Sequence, residues 1–138
     1  MKCPSCKQDT LSAWKGRITR MGVEIDAIGQ RCSSCGEELY SYEEIGRQDA
    51  LIADALVERG VRTGAEFVFV RKSADLKAVE VAEMFGVRPE TVWRWEHGET
   101  EIPRTAAYAL GQLYAHPKLT RQSFEALAAE ATGATVPA

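Results

Sequence analysis

The chain has 138 residues, 45% of them hydrophobic and 27% charged, which suits one domain or two small ones. A net charge of −3 excludes a uniformly basic nucleic-acid binder, so any affinity for DNA has to come from a local patch. No apolar run approaches the ~18 residues of a membrane span, and the opening MKCPSC carries no signal-peptide core, which predicts a cytoplasmic protein.

Residues 1–42 open with Cys3-Pro-Ser-Cys6 and close with Cys32-Ser-Ser-Cys35. In a reducing compartment four such cysteines argue for metal rather than disulfides. Each pair sets two thiolates on a tight turn, and two facing turns build a tetrahedral sulfur cage. The spacing predicts one Zn(II) per chain on Cys3, Cys6, Cys32 and Cys35, structural because four sulfur ligands leave no open position for water. A mononuclear iron centre uses the same ligands, and spacing does not separate it from zinc. A redox CxxC fits less well, since such a pair starts a helix in an α/β unit, whereas strand-like residues lie between these two. Trp14, Ile18, Val23, Ile25 and Ile28 fall in short alternating runs split at Gly16 and Gly22, the pattern of zinc-ribbon strands. So small an opening buries little core, and the metal has to supply most of its folding energy.

Residues 41–60 read as a helix. Ser41 and Glu44 form an S-x-x-E capping box, Ile45, Leu51, Ile52, Ala55 and Leu56 form the apolar stripe, and Gly60 stops it. The pattern breaks at Val61–Gly64, which places a domain boundary between residues 62 and 63. Thr63 and Glu66 form a second box that starts a helix over 64–73, with Phe67 and Val70 inward, Phe69 partly buried, and Arg71 and Lys72 outward.

Residues 76–98 read as helix, turn, helix. Leu76, Val79, Val81, Ala82 and Phe85 recur near the helical period, Gly86-Val87 breaks it, and Pro89 sits just inside the next helix. Val92 and Trp95 face inward there, leaving Arg88, Glu90, Thr91, Trp93 and Arg94 outward, with Trp93 divided between surface and core. A further helix spans 103–115 and ends at His116-Pro117, and another spans 120–131 with Phe124, Leu127 and Ala128 apolar. The last few residues read as a disordered tail. The fold class is α+β, a zinc-ribbon-like β domain over 1–62 followed by an all-α domain over 63–138.

The run Gly86, Val87, Thr91, Arg94, Trp95, Glu96, Gly98 resembles the helix-turn-helix of the phage-repressor (Xre) class. Coupled with the N-terminal cysteines, the chain is similar over residues 1–117 to MqsA-type antitoxins, which fuse a zinc domain to such a motif. The resemblance implies that the second helix of the motif enters the major groove of double-stranded DNA, which nominates Arg88, Glu90, Thr91, Trp93 and Arg94. Arg94 would make a bidentate bond to a guanine edge. Where the family carries Ser-Gln before the turn this chain has Lys77-Ala78, so Lys77 would neutralise a phosphate as a point charge. Where an MqsA-like recognition helix carries an adenine-reading Asn this chain has Glu90, which only accepts hydrogen bonds and predicts a different operator.

One such domain reads few base pairs, so a homodimer on a palindromic operator is expected, and the family implies dimerisation through the C-terminal domain. The expected function is transcriptional repression as an antitoxin that silences its own operon and holds a toxin on its N-terminal domain. Two alternatives stand beside it: a stand-alone zinc-containing repressor, and a zinc-ribbon adaptor that binds protein but not DNA. An enzyme is not expected, because the chain has no open metal position, no Cys-His or His-carboxylate spacing and no phosphate-binding Gly loop.

Overall fold

A computed structural model of the chain describes residues 1–133; the expected tail lies outside the described residues. The fold is α+β: among the described residues a three-stranded antiparallel sheet carrying the cysteines is followed by six helices. The chain forms two compact units, Met1–Ala55 and Leu56–Ala138. The division falls within a continuous helix, where periodicity leaves no mark; the sequence places its boundary at the end of that helix.

In the first unit, β1 (Leu11–Arg20) and β2 (Val23–Cys32) pair along their whole length, from Leu11↔Cys32 to Arg20↔Val23. The loop is Met21-Gly22, with φ of 51° and 74°, so both residues are left-handed as a two-residue hairpin of matching twist requires. Gly16 does not split the strand as expected. The indole of Trp14 lies where a Cβ at Gly16 would stand, so this glycine makes room for a ring on the same face. The Arg31 guanidinium sits over the same ring, 4.9 Å from its centre. The short β3 (Glu38–Leu39) pairs with Gln30 and Arg31 of β2.

Helix α1 (Tyr42–Arg59) starts at Ser41, whose hydroxyl accepts the Glu44 N–H at 3.1 Å. The other half of the expected capping box is missing, because the Glu44 carboxylate is used by the sheet. It accepts the Ile28 N–H at 3.0 Å, the Gln48 amide at 2.8 Å and Arg47 at 2.7 and 2.9 Å. Arg47 in turn donates to the Asp26 carbonyl at 2.9 Å. Side chains of α1 thus close the stretch of β2 that β3 is too short to reach. Ile52 is fully buried, whereas Ile45 and Leu51, expected on the same stripe, stay partly exposed.

The second unit packs α2 (Gly64–Ser73), α3 (Ala78–Phe85), α4 (Pro89–Glu96), α5 (Arg104–Ala115) and α6 (Pro117–Gly133). Phe67, Val70, Leu76, Val81, Val92, Trp95, Leu110 and Leu113 form the buried core, with Phe67 edge-on to Trp95 at 5.9 Å. In α3 the helical phase turns Val79 away from the buried Val81 and Ala82, leaving it 56% exposed, which corrects its expected burial. Gly86, at φ 68°, ends α3 in the left-handed conformation, with the Val87 N–H returning to the Ala82 carbonyl at 3.0 Å. Helix α6 starts at Pro117 rather than residue 120, the proline serving as its first residue. No helix among the described residues is long and apolar enough to cross a membrane.

Candidate metal centre and recognition helix

The two CxxC segments fold into turns with one hydrogen-bond pattern. Cys3 N–H donates to Gln8 O and Lys7 N–H to Cys3 O, at 2.9 and 2.8 Å. At the second turn Cys32 N–H donates to Glu37 O and Gly36 N–H to Cys32 O, both at 2.9 Å. Each turn is closed by a left-handed residue after its second cysteine, Lys7 at φ 63° and Gly36 at φ 79°. The full-length β1–β2 hairpin brings the two turns together, although 26 residues separate Cys6 from Cys32.

All four sulfurs lie within 4.8 Å of one another, with Cys3–Cys35 at 3.6 Å and Cys6–Cys32 at 3.5 Å. These separations are far too long for disulfides. A tetrahedron with Zn–S bonds of about 2.3 Å has S···S edges of about 3.8 Å, so the cluster fits such an ion with small adjustments. Four cysteines so placed can bind a metal ion, and Cys3, Cys6, Cys32 and Cys35 would hold it. Bound there, an ion would cross-link the two turns. Cys3 and Cys32 are buried with Leu11, whereas Cys35 is exposed.

No motif points to Thr10, whose hydroxyl lies 3.0 Å from Cys32 Sγ. That hydroxyl, ahead of the Cys35 N–H, holds the Cys32 thiol down to about 6. At Cys35 the Glu37 N–H likewise pulls the thiol down, but desolvation and the thiols of Cys3, Cys32 and Cys6 together push it up to about 12. A divalent ion bound there would favour the thiolate form of its ligands.

In the second unit, α4 buries Val92 and Trp95 and leaves Glu90, Trp93 and Arg94 exposed, with Thr91 half-buried and Arg88 at the N-cap. Neither Arg88 nor Arg94 has an ion-pair partner among the described residues. Trp93 does not fold back into the core. It is 50% exposed and stacks on His97 at 4.0 Å, whose Nδ1–H donates to the Trp93 carbonyl at 2.8 Å. Lys77 lies at the N-cap of α3, exposed, its N–H bonded to the Glu80 carboxylate at 2.9 Å. Lys72, Lys77 and Arg121 line one cleft there; Arg121 was not legible because it arrives from α6. Arg71, expected to point outward, is instead turned in. Its Nε and Nη2 hold both oxygens of Glu96 at 2.7 and 3.1 Å, and its Nη1 donates to the Leu76 carbonyl at 3.0 Å.

A four-cysteine cluster able to hold a metal ion, on a small sheet, is thus followed in the chain by a helical unit that displays a short arginine-bearing helix. The chain matches the model of a protein family described as the antitoxin component of a bacterial toxin–antitoxin system, MqsA, over residues 1–122. The chain belongs to this family. No curated protein sequence matches it.

Proposed function

We propose that this antitoxin is a dimeric, zinc-stabilised repressor of its own operon. The zinc half would hold a partner toxin, and α3 and α4 would act as a helix-turn-helix on a palindromic operator. The observation that carries this is α4 itself: two buried anchors fix it, while Arg88, Glu90, Thr91, Trp93 and Arg94 stand along its other side. A short helix starting on a cationic N-cap suits entry into a major groove. Lys77, with Lys72 and Arg121 in the same cleft as Asp75 and Glu80, is placed to meet phosphate. Four thiolates on knuckle-like turns favour Zn(II) over hard cations. Tyr108, Leu119 and Leu127, apolar and exposed on α5 and α6, support pairing of two copies through the C-terminal unit. Work of this kind belongs in the cytoplasm and requires no catalytic group.

A gel shift with duplex DNA from upstream of the gene tests it, with Arg94→Ala alongside. Arg94→Ala should cost ~1–3 kcal/mol of operator binding through loss of a bidentate base contact and leave folding intact. Equal loss on every sequence would make Arg94 a phosphate contact. Absence of any shift at low salt would instead favour the protein-binding adaptor.

A further inference from the structure

The long edges of the sheet are treated differently. On β2, Glu44 takes the Ile28 N–H and Arg47 the Asp26 carbonyl, next to the two residues paired by β3. The even-numbered residues of β2 therefore bond away from β1. In the observed register β1 must bond to β2 through its own even-numbered residues, which turns the N–H and C=O groups of Ala13, Lys15, Arg17 and Thr19 to the opposite side. Leu11 follows the same phase, its N–H donating outside the hairpin to Met1 O at 3.1 Å. Beyond Leu11 the outer edge of β1 has no backbone partner among the described residues, and all four side chains are exposed. A straight, unbulged edge of this length is a template for another strand.

Charge selects the occupant. Antiparallel pairing of two copies along this edge sets Lys15 and Arg17 opposite or diagonal to their own equivalents, and like charges so placed weaken a ladder. On the other side, β1 meets acidic residues of β2: Arg17 registers with Asp26 and Thr19 with Glu24, and Arg17 Nε lies 3.2 Å from Glu24. An acidic strand added outside would repeat that arrangement around Lys15 and Arg17.

We infer that the outer edge of β1 over residues 13–19 docks an extended acidic segment of a partner protein as a fourth strand, Lys15 and Arg17 pairing its carboxylates. That the partner is the toxin rests on the function proposed above; the mode of docking does not.

Short peptides test this on the full-length, metal-loaded protein. One alternates valine with glutamate, a second valine with lysine, and a third is the acidic peptide with its bonding N–H groups methylated. The acidic peptide alone should bind, and it should slow hydrogen exchange at the amides of Ala13, Lys15, Arg17 and Thr19. In Lys15→Glu/Arg17→Glu its affinity should fall roughly tenfold or more while metal content is unchanged. No binding, equal binding of acidic and basic peptides, or protection elsewhere overturns the inference. Co-purification with the product of the neighbouring gene separates the two ideas. A complex formed equally well by the double variant overturns the edge as the toxin's seat and leaves the antitoxin role standing. Failure of the unaltered protein to form any complex counts against the toxin assignment, and the peptides then decide the edge.

Discussion

Glu44 shows what a single carboxylate can hold together. Arg47 first, then Gln48 and the Ile28 N–H, keep its pKa at about 2, against an ordinary value of 4.5, although burial opposes them. A depressed folded-state value means the contribution is complete above about pH 4.5 and fades as pH falls toward 2. Denaturant melts of the first unit should therefore show Glu44→Gln weaker than the unaltered protein at neutral pH, with the gap closing between those two values. A constant gap would mean that packing, not charge, is lost. The sequence reveals the Ser41 cap because its partner is three residues away. It hides the Ile28 bond because that partner is 16 residues back on a strand. Arg71 is hidden in the same way: helical phase makes it look solvated, while its carboxylate partner lies 25 residues on.

At the scale of elements, what repeats locally is legible and what depends on a neighbour's shape is not. The cysteine spacing, the start of α2 at Thr63 and the end of α3 at Gly86 each follow from residues within one turn of themselves. The role of Gly16 depends on where the Trp14 ring lies, which alternation alone does not tell. Gly29 makes the point testable. A Cβ there would run into the Leu39 carbonyl and the Tyr40 ring, so β3 could pair with β2 only after moving. Gly29→Ala should cost about 1–3 kcal/mol of first-unit stability by overpacking. It should also expose the Gln30 and Leu39 amides to hydrogen exchange; unchanged protection there would show that the strand yields freely.

Across the molecule, the two units draw on different sources of stability. Around its thiols the first has only the small buried cluster of Cys3, Leu11 and Cys32, with Ile25, Ala27 and Ile52 buried elsewhere in the unit, whereas the second has a larger aliphatic and aromatic core. Cys3→Ser should therefore abolish metal binding and strip the sheet of its dispersed amide resonances while those of α2–α5 persist. Metal analysis and a two-dimensional amide spectrum read both effects, and loss of both sets together would make the chain one cooperative unit.

The Arg71–Glu96 clamp has a further consequence. It ties α2 to the end of α4 through a pair with side-chain exposures of only 12% and 8%, out of reach of most counter-ions. Arg88 and Arg94, by contrast, stand in solvent. Ionic strength is thus a one-sided lever on this helix. Added salt dims the charges that α4 presents and leaves its posture alone, so no ordering cost is added to whatever it meets.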